Sequence, residues 1–293
     1  MSANRTIEGP GGRLLKFELT GPEDGRLLVL HHGTPGAGSA YGPWTADGAQ
    51  RGLRHLCYSR PGYAASTRHP GRSAADCAAD VAAIVDALGV DRFYTAGISG
   101  GGPHALACAA LLGDRVIAAA SIAGVAPNDA PGLDFLAGMG AENIEEFGAA
   151  IAGEEALRPF IEEMAVGLSG STVEKMTATL GDLLGSADRA ALSGEFAQYL
   201  FDKIAVALSG GVDGWLDDDF AFVAPWGFGV AAITRPVAVW QGGDDRFVPL
   251  AHGEWLAANV TGATRHIRPE HGHLSLQTAA YGEILDALIA AGD

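Results

Sequence analysis

The fold of this chain is decided by the stretch RFYTAGISGGGPHALACAA, residues 92–110. It begins as a short apolar strand, passes through a corner crowded with glycine, and continues as an alanine-rich helix. A strand can turn into a helix this abruptly only when the corner residue takes a strained backbone conformation, and flanking glycines keep side chains out of the space this needs. We therefore interpret residues 97–101, GISGG, as a nucleophile elbow that exposes the hydroxyl of Ser99.

The pentapeptide alone is weak evidence for a catalytic serine, because a chain with 42 glycines in 293 residues matches it easily by chance. A serine hydroxyl becomes a nucleophile only when a base removes its proton, and a third group must orient that base. Residues 239–249, VWQGGDDRFVP, place two acids just past an apolar strand. Residues 270–274, EHGHL, place two histidines after the next strand. These segments supply candidates for both partners.

Taken together, four segments resemble the pattern of an α/β-hydrolase with a helical cap. They are HGTPG at residues 32–36, GISGG at 97–101, GGDDRFVP at 242–249, and GH at 272–273. Nucleophile, acid and base follow one another in the order of that family. The resemblance covers nearly the whole chain outside the cap.

The resemblance implies that Ser99, Asp245 and His273 form a catalytic triad. The register of the motifs favours Asp245 over Asp244, which is more typical of a solvated turn. It also favours His273 over His271, which lies just outside the histidine motif.

The resemblance also implies an oxyanion hole formed by the backbone N–H groups of Thr34 and Gly100. Loss of one such donor typically raises the activation free energy by about 3 kcal/mol. Pro35 has no N–H and cannot serve in its place.

Several residues near the elbow are expected to shape the site. Ile98 is apolar and bulky and would wall the substrate pocket beside the nucleophile. Trp215 and Trp226 lie in or beside the cap, where they would line the same pocket. The segment SRPGY, residues 59–63, has serine where relatives of this family often carry aspartate, and we interpret it as closing a turn.

Strands alternate with helices on both sides of a helical stretch, which predicts an α/β fold with a mostly parallel, twisted sheet flanked by helices. From Pro127 the strands vanish, and apolar residues recur at helical spacing until about Ala224. We expect residues 1–126 and 226–293 to form the α/β-hydrolase core. Residues 127–225 are expected to form an inserted, all-helical cap.

The net charge of −16 is concentrated in one part of the chain. The segment from Pro127 to Pro225 holds 18 acidic and 4 basic residues. This argues against nucleic acid and anionic membranes as partners. The acidic residues of the cap could attract a cationic substrate or could form a solvated face, and we favour the solvated face. The acids assigned to that face are Glu154, Glu155, Glu162, Glu163, Asp217, Asp218 and Asp219.

Compartment and cofactors follow from what the sequence lacks. Residues 1–8 have no apolar core of a signal peptide, and no later run resembles a membrane span, so we expect a cytoplasmic protein. The three cysteines, Cys57, Cys77 and Cys108, have no disulfide or zinc spacing. We predict neither a metal nor a cofactor.

The motifs predict a cofactor-independent serine hydrolase that cleaves a small to medium, uncharged carboxylic ester through an acyl-enzyme. Two alternatives stay open. One is an aminopeptidase similar to prolyl iminopeptidases, whose cap carboxylates would bind the free amine of the substrate. The loop at residues 32–36 lacks the second glycine before proline that we associate with that group. The other is a hydrolase-like protein that binds a small-molecule ligand with little turnover.

Overall fold

The structure, a computed structural model, describes residues 3–168 and 172–292. Its strands are β1 (Ala3–Glu8), β2 (Leu14–Thr20), β3 (Arg26–His31), β4 (Leu53–Tyr58), β5 (Phe93–Ile98), β6 (Val116–Ile122), β7 (Val237–Gly242) and β8 (Thr264–Arg268). They form one sheet in the order β1-β2-β4-β3-β5-β6-β7-β8. Among these described strands, β2 pairs antiparallel with both of its neighbours and all other pairs are parallel. The predicted α/β class with a mostly parallel sheet is confirmed.

Helices lie in the connections between strands. They are α1 (Gly42–Gln50), α2 (Cys77–Ala87), α3 (Gly102–Leu111), α4 (Ala141–Ala152), α5 (Glu154–Leu168), α6 (Val173–Leu180), α7 (Ser186–Ala191), α8 (Gly194–Ala207), α9 (Asp213–Val223), α10 (Leu250–Asn259) and α11 (His273–Gly292). Helices α4 to α9 follow one another between β6 and β7, and we call them the inserted helices. The division into a core and a separate cap at residues 127–225 stays a prediction. No helix within the described ranges is long and apolar enough to cross a bilayer.

The middle of the sheet is covered on both faces. Every residue of β5 and β6 is buried, as expected for strands that read as unbroken apolar runs. Along β3, Leu28 and Leu30 belong to one cluster of buried apolar side chains, and Leu27 and Val29 belong to another. Since successive side chains of a strand point to opposite faces, these two clusters form the two layers of the core.

The topology brings the four predicted motifs to one edge of the sheet. Strands β3, β5, β7 and β8 run in the same direction, so their carboxyl ends lie together. The segments that leave these ends are residues 32–36, the corner at Ser99, residues 243–249 and residues 269–272. In open α/β sheets this edge is where ligands bind.

Candidate active site

Ser99 lies at the corner between β5 and α3 in a strained backbone conformation. Its φ is +56°, in the left-handed region that residues other than glycine rarely adopt. A Cβ atom added to Gly97 would collide with the carbonyl of Gly101, and one added to Gly101 would collide with the carbonyl of His31. The glycines are therefore needed because three backbone segments pack directly against each other below the serine.

His273 and Asp245 are hydrogen-bonded to each other. The Nδ1 atom of His273 lies 2.8 Å from Oδ2 of Asp245, and because a carboxylate only accepts, the imidazole is the donor. Asp245 Oδ1 accepts from the amides of Phe247 at 2.9 Å and Val248 at 2.8 Å. Its Oδ2 also accepts from the side-chain amide of Gln241 at 3.0 Å. These bonds fix the carboxylate and leave Nε2 of His273 as the nitrogen available to the site.

Burial and the neighbouring charges shift the pKa values of His273 and Asp245 in opposite directions. Burial lowers the pKa of the His273 imidazole, but the carboxylates of Asp245 and Asp188 outweigh it, so this pKa is raised from 6.5. Burial raises the pKa of the Asp245 carboxyl, and its hydrogen bond with His273 opposes that rise. The ring of Phe247 stacks on the imidazole with centroids 4.6 Å apart. The imidazole is thus held in one orientation from two sides.

Asp244 and His271, which the motifs disfavoured as catalytic residues, are not part of the hydrogen-bonded pair. The Asp244 side chain is 44% exposed, and its nearest cation is Arg246 at 3.8 Å. His271 lies 3.7 Å from Glu270, at the end of the loop before α11. Neither contacts the pair formed by Asp245 and His273 in the described contacts.

Two cavities meet at Ser99. The larger, of about 120 Å³, is lined by Ser99 and His273, and the smaller, of about 70 Å³, by Ser99 and Gly100. Both are also lined by Thr34 and Phe247. No hydrogen bond joins the hydroxyl of Ser99 to His273, both of which the structure describes; in enzymes without substrate this bond is often long and tightens on binding.

Thr34 and Gly100 lie next to each other at this junction. A Cβ atom added to Gly100 would lie 2.5 Å from Oγ1 of Thr34. The amide of Thr34 donates to no backbone carbonyl of residues 3–168 and 172–292. Gly100 is the second residue of the short 3-10 turn at Ser99–Gly101, and amides at the start of such a turn have no acceptor within it. Both amides are therefore available to a ligand oxygen.

The loop that carries Thr34 is held by Arg60, which the sequence interpretation had assigned only to closing a turn. The buried guanidinium donates to the carbonyls of His32 at 2.5 Å and Gly33 at 3.1 Å, and to Oγ1 of Thr34 at 3.0 Å. It also forms an ion pair with Asp218 of α9 at 2.6 Å. The inserted helices thus determine the position of a predicted oxyanion donor.

The prediction that Asp217, Asp218 and Asp219 form a solvated face is wrong. All three side chains are buried. Asp217 pairs with Arg68 and Asp218 with Arg72, so the acids of α9 neutralise cations that come from before β5. The four glutamates of α5 that were grouped with them are exposed, at positions 154, 155, 162 and 163.

Replacing Asp218 with asparagine is expected to lower the free energy of unfolding by about 3–5 kcal/mol, because it leaves Arg60 buried without its counter-ion. Arg60 and Arg72 outweigh burial and hold the pKa of the Asp218 carboxyl far below its usual range. Denaturation in urea measures the change. The exposed Glu162→Gln variant serves as control and should stay within about 0.5 kcal/mol of the parent. Equal stability of both variants would contradict the role of this ion pair.

A second acid from the inserted helices, Asp188, binds the backbone of the segment that begins with His273. Asp188 of α7 is buried, and its carboxylate accepts from the amides of His273 at 2.8 Å, Leu274 at 3.0 Å and Ser275 at 2.8 Å. These are the unpaired amides at the start of α11, where a negative charge is stabilised. Asp188 is therefore a positioning residue for His273, and it raises the pKa of the imidazole.

Asp188→Asn is expected to shift the acidic limb of the kcat/KM profile to lower pH. The imidazole must be neutral to accept a proton, so activity falls as pH drops through its pKa, and removing the negative charge lowers that pKa. The measurement is kcat/KM for a neutral ester at pH values from about 5 to 9. The exposed Asp182→Asn variant should keep the parental limb. A shift to higher pH in Asp188→Asn would contradict the assignment.

The predicted pocket residues separate into two groups. Ile98 lines the larger cavity and Trp215 the smaller one. The structure corrects the prediction for Trp226, which instead lines a surface pocket with Phe228 and Trp255. The chain has already left the site there, since α9 ends at Val223 and the carbonyl of Trp226 accepts from the amide of Ala75.

The smaller cavity also contains a carboxyl pair that sequence analysis did not identify. Glu146 of α4 and Asp219 of α9 line it, and Nε1 of Trp215 donates to Glu146 at 2.6 Å. Burial raises the pKa of the Asp219 carboxyl, and the neighbouring Glu146 raises it further. Burial likewise raises the pKa of the Glu146 carboxyl, so both groups of this pair bind a proton more readily than exposed carboxyls do.

Comparison with solved structures places this arrangement among known folds. A hydrolase from Pseudomonas aeruginosa PA01 superimposes with a TM-score of 0.70 at 22% identity, covering 98% of this chain and 97% of that one. A thermophilic esterase from Thermogutta terrifontis gives a TM-score of 0.67 at 20% identity, covering 99% and 100%. The esterase RhEst1 from Rhodococcus sp. ECU1013 gives 0.70 at 20% identity, covering 98% and 99%. At such identities the likeness concerns the fold.

Sequence comparison gives the family. No curated protein sequence matches the chain significantly. A family model described as alpha/beta hydrolase fold matches residues 26–280, which is most of the chain. The chain therefore belongs to the alpha/beta hydrolase fold family, which confirms the predicted fold class and the prediction of a hydrolase.

Proposed function

We propose that the protein is a serine hydrolase that cleaves a small to medium carboxylic ester without a cofactor. Ser99 Oγ attacks the ester carbonyl, and Nε2 of His273 accepts its proton. Asp245 stabilises the imidazolium, while the amides of Thr34 and Gly100 bind the oxyanion. His273 then gives the proton to the departing alcohol, and water repeats these steps on the acyl-enzyme.

The observation that carries this proposal is the 2.8 Å hydrogen bond between Asp245 and His273, whose side chain lines the same cavity as Ser99. The bond selects the tautomer that leaves Nε2 as a base. The strained corner at Ser99 supports the same conclusion, because non-glycine residues in such conformations cluster at functional sites.

The proposal is tested with a panel of 4-nitrophenyl esters of increasing acyl length. Catalytic turnover with a preference for short or medium chains is expected, since the cavities beside Ser99 are small. Covalent labelling by a fluorophosphonate without turnover of any ester would instead indicate a ligand-binding protein. Failure of both would refute the proposal.

A second candidate function, an aminopeptidase, is favoured by the carboxyl pair of Glu146 and Asp219. Apart from Glu146, the described residues offer no hydrogen-bond donor to the buried oxygens of Asp219. A substrate ammonium in the smaller cavity would supply donors and a positive charge to these oxygens. This arrangement fits a substrate whose amine lies close to the bond that Ser99 attacks.

The two functions are separated by proline 4-nitroanilide and its N-acetylated form. An aminopeptidase should cleave the free amine and reject the acetylated compound, and Glu146→Gln should weaken that preference. An esterase should show slow or no cleavage of either compound while it hydrolyses the 4-nitrophenyl esters.

A further inference from the structure

The larger cavity contains a lysine without a counter-ion. Lys203 of α8 lines it together with Ser99 and His273, and the same side chain also borders an adjoining surface groove that contains Tyr199, Glu195 and Asp202. Its side chain is half-buried, and Nζ donates to Oη of Tyr199 at 3.0 Å. In the part of the chain that the structure describes, no carboxylate forms an ion pair with Lys203. The tyrosine hydroxyl donates onward to the carbonyl of Ser39, so it neutralises no charge.

An ammonium group in this position is unusual because of what surrounds it. The other side chains of the larger cavity are mostly apolar: Ile98, Met176, Leu180, Leu200 and Ile204. Removing a charge from water is costly unless it is paired, and an ammonium has three hydrogens to donate, of which Tyr199 takes one. Burial lowers the pKa of Lys203 to about 8, so the group is still mostly charged at neutral pH. An anion from a ligand would satisfy it.

The position of His273 indicates which part of a substrate lies in this cavity. The imidazole lines the larger cavity, and it is absent from the described lining of the smaller one. Because His273 must reach the departing alcohol to protonate it, the leaving group lies on the side of the larger cavity. The acyl group then lies toward Glu146 and Asp219.

We infer that Lys203 binds a carboxylate carried by the leaving group of the ester, so that the substrate is the ester of a hydroxy acid. This inference rests on the proposed function and departs from the uncharged substrate that the sequence predicted. The described lining of the smaller cavity contains a carboxyl pair and no basic side chain, whereas the larger cavity contains Lys203. An anionic leaving group would therefore be attracted to the larger cavity, which orients the scissile bond at Ser99.

The test compares 3-acetoxybenzoate with its methyl ester, which has the same scissile bond and no charge. The parent should have the higher kcat/KM for the anionic ester. Lys203→Met should lower the ratio of anionic to neutral kcat/KM by about tenfold or more, the range expected for one hydrogen bond to a charged group. The control is Lys175→Met, which removes the exposed ammonium next to Met176 and should leave the ratio unchanged. An unchanged ratio in Lys203→Met would overturn the inference.

Calorimetry with Ser99→Ala separates this inference from the proposed function. Binding of 3-hydroxybenzoate to Ser99→Ala, with at least tenfold weaker binding to the Ser99→Ala, Lys203→Met double variant, would support the carboxylate site even if no ester were hydrolysed. Equal binding by the two proteins, or none by either, would reject the site. Ester hydrolysis by the parent in that case would leave the proposed function intact.

Discussion

Replacing Ser99 with alanine is expected to lower kcat/KM for 4-nitrophenyl acetate by about 10⁵-fold or more, the loss typical of removing a serine nucleophile. The variant loses the only atom that forms the covalent bond in the proposed reaction. Its fold should be intact, since alanine is smaller than serine and the side chain of Ser99 borders open cavities. Steady-state kinetics and circular dichroism together measure both expectations.

The matched control for this variant is Ser209→Ala. Residues 208–211, LSGG, resemble part of the elbow but lie on the surface after α8, where the hydroxyl of Ser209 donates to the carbonyl of Val206. Ser209→Ala should hydrolyse the ester at the parental rate. Parental activity in Ser99→Ala would remove Ser99 from the mechanism.

Asp245→Asn is expected to lower kcat/KM by about 10⁴-fold, as a change of imidazole tautomer does in serine hydrolases. The amide nitrogen of asparagine cannot accept from Nδ1, so the proton of His273 moves to Nε2 and the base is lost. The amides of Phe247 and Val248 can still donate to the remaining oxygen, which limits the structural damage. Ester hydrolysis at several pH values provides the measurement.

Asp244→Asn tests whether the loss of kcat/KM is specific to Asp245. The two residues are adjacent, but Asp244 is exposed and makes no described contact with His273. Its variant should retain activity within about twofold, as expected for a surface substitution. A larger loss in Asp244→Asn than in Asp245→Asn would reverse the assignment.

Much of the site was predictable because its signals are local. The glycines around Ser99, the acids after β7 and the histidine that begins α11 each lie within a few residues of a strand end. A parallel sheet then brings strand ends together without further information from the sequence. The edge strand β1 was not predicted, because Ile7 is its only large apolar residue and residues 4–8 are mostly exposed, so it has no apolar alternation.

The supports of the site were not predictable, because they join distant parts of the chain. Arg60 and Asp218 are 158 positions apart, and Asp188 and His273 are 85 apart. In a segment with 18 acids and 4 bases, nothing local distinguishes the buried Asp188, Asp218 and Asp219 from glutamates on the surface of α5. The partners of Asp188 and Asp218 lie outside the segment, so its composition alone indicated a solvated face.

The convergence of Ser99, His273 and Asp245 is tested most directly by intact-mass measurement of fluorophosphonate labelling. One phosphonyl group per chain is expected, mapped to Ser99 by peptide sequencing and absent from Ser99→Ala. Labelling should slow strongly in Asp245→Asn and remain at the parental rate in Asp244→Asn. Modification of another residue, or equal labelling rates in all variants that retain Ser99, would contradict the account.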